Sequence, residues 1–361
     1  MGNSACKRKQ YYGKSLSMNI PLPPANNTFA SSATTTQRSS VPLDESMLSN
    51  DGIGALLKGI VLRWRVGQII KSDEDQQIVT GVKIIDMQHN DASIVNHNSD
   101  TEQFAASINK LPVALLVLQD LRASKLHMDQ VLTWVPSDRR DGGGIYDAPN
   151  SPTQASLQDV LFDMLNRSGN TAVRILVNYA LGQAPAVNAR WGQIPQLSHT
   201  YLQPLDNDPS RFYLGNTTPH DSLWTMEQLM SNQDTYGQFV KHALATNIYT
   251  DIGTRSQLAG NDYIVLVNKL GLLDDPTGDN RHDVGIIYNT KTHKSYGYAY
   301  MTTSPESNTN ATPTAEQSLK DMGHDVLLYA GDKPKSQTSP VTPMQQFAPQ
   351  HGNAQKGKLL Y

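Results

Sequence analysis

The chain has 361 residues, 38% of them hydrophobic and 17% charged, enough apolar material for one large core or two subdomains in a soluble globular protein. Its formal net charge of -3 supplies no broad basic field for nucleic acid or an anionic membrane, so a small-molecule or peptide substrate fits better. Cys6 is the single cysteine and the histidines are scattered without His-x-His or His-Glu-x-x-His spacing, so neither a disulfide framework, a metal site nor a cofactor is expected.

Residues 21–45 are dominated by Pro, Asn, Ser and Thr and cannot bury enough apolar area to offset chain entropy, so residues 1–48 read as a disordered tail or linker. The basic cluster Lys7-Arg8-Lys9 lacks the apolar stretch of ~7–15 residues that makes a secretory signal. Met1-Gly2 with Cys6 is a weak lipidation signal. The longest apolar run, Leu111 to Leu118, has eight residues and contains Pro112. That is far short of the ~20 needed to span a bilayer, so no transmembrane segment is expected.

Leu56, Leu57, Ile60, Val61 and Trp64 recur at helical spacing and predict a helix over 53–70, followed by an alternating strand over 79–87. Helices are then expected at Ile108 to Leu121, Leu157 to Leu165, Thr171 to Leu181 and Ser222 to Met230, separated by Gly, Pro and Asn loops. Strands follow at Tyr263 to Val267, Val284 to Tyr288 and Tyr296 to Met301, with Asp274 to Asn280 as a long turn. A helix over Pro313 to Tyr329 closes the body, and residues 331–361 return to linker-like composition. This order describes an α/β sheet domain over 49–330, interrupted by an all-helical insertion of about 104–245. The cleft between the two parts is the expected site.

Three short motifs fall in order along that body: Ser107-x-x-Lys110, Ser168-x-Asn170 and Lys269-x-Gly271. Ser4 with Lys7 and Ser17 with Asn19 repeat the first two by chance, whereas Lys269-Leu270-Gly271 is the sole Lys-x-Gly in the chain. A serine in the first turn of a helix has the positive end of the dipole and free N–H groups beside it, which would stabilise a developing oxyanion. Lys110 shares the face of Ser107 and is followed by Leu111, Pro112, Val113 and Ala114, surroundings that favour a neutral amine able to deprotonate serine. Taken alone, the pair reads equally as a capping serine and a snorkelling lysine. Pro112 would free the carbonyl of Ile108 at a cost of ~3 kcal/mol, predicting a kink or a loose first turn. Ser168 and Asn170 open a helix, as an ordinary cap or as a hydroxyl and an amide on a cleft wall. Lys269 is expected at a strand end, with Gly271 allowing a substrate close to the backbone. Gly142-Gly143-Gly144 reads as a flexible turn near the cleft mouth, where Trp134 and Tyr146 either line the mouth or pack in the core.

At this point the chain resembles the class A β-lactamase-like serine hydrolases, relatives of the D-alanyl-D-alanine peptidases, over roughly residues 50–330. Phe104 to Lys110 (FAASINK) is similar to the nucleophile segment, and Met164 to Ala172 (MLNRSGNTA) to the Ser-Asp-Asn-Thr-Ala region with Gly169 in its middle. Asn216-Thr217-Thr218-Pro219 resembles the entry to the helix after the family's Ω-loop, and Gly285-Ile286-Ile287 the strand after the lysine-glycine turn. The resemblance implies an antiparallel sheet flanked by N- and C-terminal helices with a helical insertion. It implies Ser107 as acylated nucleophile, Lys110 as its base, Ser168 as proton shuttle and Asn170 and Lys269 as substrate-orienting groups. The oxyanion hole would be the backbone N–H groups of Ser107 and Leu272, beside Gly271. The substrate would be a β-lactam or a peptidoglycan peptide, met by a monomer outside the cytoplasm.

The departures from the family pattern are specific. No glutamate stands between Glu102 and Glu227, where the family carries the Ω-loop glutamate that activates the deacylating water. Arg190-Trp191-Gly192 resembles the arginine-tryptophan pair of that motif with glycine in place of glutamate, and Asp206 or Asp208 would have to substitute. Leu270 replaces the hydroxyl residue of the lysine-glycine motif, and Val284 stands where many members place an arginine. Arg281 or Arg255 would have to bind a substrate carboxylate instead. The alternative expectations are a D-alanyl-D-alanine carboxypeptidase or penicillin-binding enzyme, and a non-catalytic cell-envelope binding domain.

Overall fold

The computed structural model describes residues 50–331, apart from 90–91, 206–207, 259–262, 276–277 and 306–310. The two expected tails, with Cys6 and the basic cluster, lie outside the described residues save for Gly331. Helix α1 (Asn50–Asp75) leads into β1 (Val79–Asp86) and β2 (Ala92–His97), and three long strands follow the insertion: β8 (Ile264–Asp275), β9 (Gly278–Asn289) and β10 (Lys294–Ser304). They form one antiparallel sheet in the order β2-β1-β10-β9-β8, and α8 (Ala311–Tyr329) returns beside α1. The numbering β3–β7 and α2–α7 belongs to the insertion, described below.

The sheet is buried on both faces because its strands alternate two apolar sets. Val82, Ile84, Leu266 and Ile287 pack with Leu62, Val66 and Ile70 of α1 and Leu319, Met322 and Val326 of α8. Ile85, Val267, Val284 and Ile286 face the other way, into a larger core shared with the helical insertion. Buried Asp73 at the end of α1 ties the first layer together, accepting hydrogen bonds from Thr80 (2.8 Å), Ser318 (2.6 Å) and Tyr300 (2.5 Å).

The insertion is largely helical: α2 (Lys110–Arg122), α3 (Leu157–Asn166), α4 (Asn170–Tyr179), α5 (Gln183–Trp191), α6 (Pro219–Ser231) and α7 (Thr235–Ala245). It also holds five strands that the helical reading did not anticipate. β4 (Val131–Thr133) pairs with β5 (Gln154–Ser156), and β6 (Tyr201–Leu205) forms a hairpin with β7 (Asp208–Thr217), which in turn pairs with β3 (Gln103–Phe104). β3 to β6, of two to five residues, are too short to show a period of two, and ten-residue β7 loses the alternation at Pro209 and Gly215.

Two expected boundaries move. β8 runs through Lys269, Leu270 and Gly271 rather than ending before them, and β8 and β9 stay paired as far as Asp275 and Gly278, so most of the expected long turn is strand. Trp134 and Tyr146 are both 3% exposed and meet edge to face at 5.3 Å, which assigns them to the core.

Candidate active site

The turn that carries Ser107 is held by two contacts on its backbone and by the side chain of Asn109. Ala105 N–H donates to the Gly215 carbonyl of β7 (2.7 Å), and the His282 ring of β9 holds the Phe104 carbonyl through Nε2 (2.8 Å). Asn109 Nδ2 donates to the carbonyls of Leu214 (2.5 Å), Asn216 (3.0 Å) and Tyr201 (3.3 Å), pinning the β6–β7 hairpin to the same turn. Between these anchors Ala106 to Asn109 form a 3-10 turn that passes into α2 at Lys110. Pro112 therefore falls in the first α-turn, where a backbone N–H has no intrahelical acceptor, so no kink is needed. Ala106, immediately before Ser107, has φ of +44°, a left-handed conformation of the kind that costs of the order of 1–3 kcal/mol at a non-glycine residue.

Lys110 is fully buried, and its Nζ lies 2.9 Å from Ser107 Oγ, 2.5 Å from the Ser168 carbonyl, 2.7 Å from Asn170 Oδ1 and 3.2 Å from Ser168 Oγ. The carbonyl and the amide oxygen can only accept, so they take two N–H bonds. A neutral amine then has its lone pair left for a hydroxyl proton. Burial pushes the Lys110 ammonium down to about 7, although the charges of Asp147 and Asp163 pull it up. Lys269, also buried, donates to Ser168 Oγ (2.8 Å) and to the Leu270 carbonyl (2.6 Å). Burial, then the neighbouring Lys110 charge, hold Lys269 well below its ordinary value against the opposing pull of Asp283. One hydroxyl, that of Ser168, thus sits between two amines.

The Ser168-Gly169-Asn170 loop is held by carboxylates that sequence reasoning missed. Asp147 accepts from the backbone N–H groups of Gly144 (2.8 Å), Asn170 (3.2 Å) and Thr171 (2.8 Å), and Asp163 Oδ1 accepts from Ile145 N–H (2.9 Å). Asp163 Oδ2 is buried with no hydrogen-bond partner among the described residues, and burial raises this carboxyl to about 6. Gly144 and Gly169 allow its close approach: a methyl at 144 would sit 2.5 Å from Oδ2, and one at 169 nearer still. The triple glycine is therefore a packed wall of the site, and it was the available signal, since three adjacent glycines mark a backbone that something must approach closely. Ser168 itself has φ of +56°.

Gly271 lies across from the nucleophile turn. A side chain there would meet Ile108 at 2.9 Å and the Ala105 carbonyl at 3.2 Å, so only glycine lets β8 close on the turn. Half-exposed Leu272 follows it on the strand. The remaining expectations part company with the site. Arg255 is spent on the carbonyls of Ala245 (2.9 Å) and Leu244 (3.1 Å) and on Asn268 Oδ1 (2.9 Å), while Arg281 pairs with Asp274 (2.5 Å) and Glu316 (3.1 Å). Neither side chain is free to serve as a carboxylate receptor. Arg190 pairs with Asp120 (2.6 Å), and buried Trp191 donates to the Pro112 carbonyl (3.3 Å) from the end of α5, so this pair is helix packing and not an Ω-loop motif. Asp208 accepts from both Ser210 N–H (3.0 Å) and Ser210 Oγ (2.7 Å), and Asp206 lies outside the described residues.

A five-stranded antiparallel sheet between two terminal helices and a helical insertion, with a Ser-Lys-Ser-Lys cluster at their junction, defines the class A β-lactamase-like fold. The family model described as the β-lactamase enzyme family matches residues 65–329, and the chain belongs to that family. Among solved structures it is similar to a β-lactamase from Xanthomonas campestris pv. campestris (18% identity, 76% of this chain and 99% of that one, TM-score 0.63). It is also similar to a β-lactamase from Sphaerobacter thermophilus (20%, 74% and 97%, 0.60) and to PBP-A (18%, 73% and 94%, 0.60). No curated protein matches the chain.

Proposed function

We propose that residues 49–330 form a serine acyl-transfer hydrolase whose nucleophile is Ser107, acting on a β-lactam or a D-alanyl peptide. The observation that carries this reading is the buried Lys110 amine 2.9 Å from Ser107 Oγ with its other bonds committed to obligate acceptors. Lys110 takes the proton of Ser107, the Oγ attacks the substrate carbonyl, and the oxyanion rests on the N–H of Ser107 at the start of the helix and that of Leu272 on β8. The proton passes through Ser168 to the leaving nitrogen as the C–N bond breaks, leaving an ester on Ser107. Asn170 and Lys269 orient the substrate. A small molecule or a peptidoglycan peptide fits such a cleft, and such substrates place the reaction outside the cytoplasm.

Deacylation is the slow half. On the hairpin side, Asp208 is occupied by Ser210, exposed Glu102 accepts from Asn216 Nδ2 (3.3 Å), and no glutamate stands between Glu102 and Glu227, the stretch in which the family carries its water-activating glutamate. A persistent acyl-enzyme, as in penicillin-binding enzymes, follows from this. Incubation with a fluorescent penicillin and peptide mapping is expected to place the label on Ser107, and a chromogenic cephalosporin is expected to give a stoichiometric burst with little turnover. An unlabelled protein at saturating reagent would refute the proposal.

A further inference from the structure

Helix α1 is apolar on two opposite faces. Leu62, Val66 and Ile70 are buried against the sheet. The residues whose spacing announced the helix point away from it: Leu56 is 41% exposed, Leu57 56%, Ile60 48%, Val61 53% and Trp64 64%. An apolar stripe of this size on a surface helix needs a partner. Its shoulders are cationic, with Arg63 on one side and Lys58 and Arg65 on the other, and Lys71 follows a turn and a half further on. From Gly52 to Ser72 there is no acidic residue. Arg65 is paired with Asp325, which leaves Lys58, Arg63 and Lys71 as the charges that 52–72 presents outward, with exposed Glu74 and Asp75 beyond them at the far end of the helix.

We infer that α1 is an interfacial docking helix that lays its outer stripe on an anionic lipid surface. The chemistry of such helices is a Trp- and Leu-bearing face flanked by Lys and Arg, which snorkel to headgroup phosphates while the apolar face enters the acyl boundary. Charge decides between a bilayer and a second copy of the chain. Two such helices placed face to face would oppose cations with cations, whereas an anionic surface complements them. The overall charge of -3 is no obstacle, because this attraction acts within a Debye length of the helix itself. The helix is not long and apolar enough to cross a membrane, so it lies on the surface.

The test uses the full chain with vesicles of phosphatidylcholine, with and without phosphatidylglycerol. The protein should co-sediment with the anionic vesicles, and brominated lipid should quench the exposed Trp64 while sparing Trp134 and Trp191, which are 3% and 0% exposed. Val61→Gln with Trp64→Gln should abolish binding without changing the thermal midpoint, since both side chains face solvent. Lys58→Gln with Arg63→Gln should weaken it roughly tenfold to thirtyfold. Absence of co-sedimentation would overturn the inference. So would binding that survives the α1 substitutions, or a dimer in analytical ultracentrifugation that those substitutions dissociate. None of these outcomes bears on penicillin labelling of Ser107.

Discussion

The two walls of the candidate site are made of different material. On the wall formed by α2, the α3–α4 loop and β8, two buried amines and two buried carboxylates are packed around Ser107 and Ser168, with distances of 2.5–3.2 Å among their polar atoms. The β6–β7 wall is attached to the same nucleophile turn through neutral groups alone: a β7 carbonyl, three carbonyls on Asn109 and the β3 pairing. The first wall is expensive to assemble, because each buried ion raises the free energy of the folded state. The second is held by ordinary backbone hydrogen bonds. The contrast is between a costly cluster of buried ionisable groups around Ser107 and Ser168 and an inexpensive backbone attachment on the other side.

The sharpest way to break this comparison is Lys110→Met. Acylation of Ser107 should fall by roughly 10^2–10^4, measured by stopped-flow labelling, while stability rises. An amine that binds its proton at about 7 when folded but at 10.5 when unfolded makes the unfolded chain hold more protons between those values. Stability then climbs with pH from 7 to 10.5, and the burial cost, of the order of 5 kcal/mol, is fully present below 7. The substitution should therefore flatten that climb, and its gain in thermal midpoint should be largest near pH 6 and fade towards pH 10. A variant whose midpoint tracks the parent's at every pH would mean that Lys110 is not the group carrying this cost.

Asn109→Ala probes the neutral wall. Losing three bonds to buried carbonyls should cost about 1–3 kcal/mol, and hydrogen exchange should quicken in Tyr201 to Thr217 while β8 and β9 stay protected. The smallest effect is expected from Asp163→Asn. The parent's acylation rate should rise with pH through about 7 as Lys110 loses its proton. Asp163 pulls the Lys110 value up, so removing its charge should move that limb to lower pH with the plateau rate retained. A limb that moves upward would contradict the carboxylate's assigned influence.

Much of the wall around Ser107 was legible in the sequence. Ser107, Lys110, Ser168, Asn170 and Lys269 are far apart in the chain, yet their order and spacing anticipate one cluster, and Gly271 was marked as a point of close approach. Asp147 and Asp163 were not legible, because their role exists only when the 142–147 loop folds over the start of α4, and aspartates are common in loops and helices alike. The hairpin wall was hidden for a different reason. Its strands contain Pro204, Pro209 and Gly215 and mix polar with aromatic residues, so no period of two survives. The apolar spacing over 53–70 announces helix α1 but not its orientation, since periodicity reports that a helix is amphipathic and not which side meets the sheet.

His282 carries one last consequence. Its Nδ1 accepts the Thr302 N–H of β10 at 3.1 Å while Nε2 faces the Phe104 carbonyl at 2.8 Å, so the imidazole must be the neutral tautomer with its hydrogen on Nε2. Burial holds it down to about 4, so the ring stays uncharged across the physiological range. A flat ring with an acceptor on one edge and a donor on the other acts here as a rigid spacer between two peptide groups. The sheet thereby sets the height of the serine three residues along, and a shift of β10 past β9 would be transmitted to it as a displacement of the Ser107 hydroxyl.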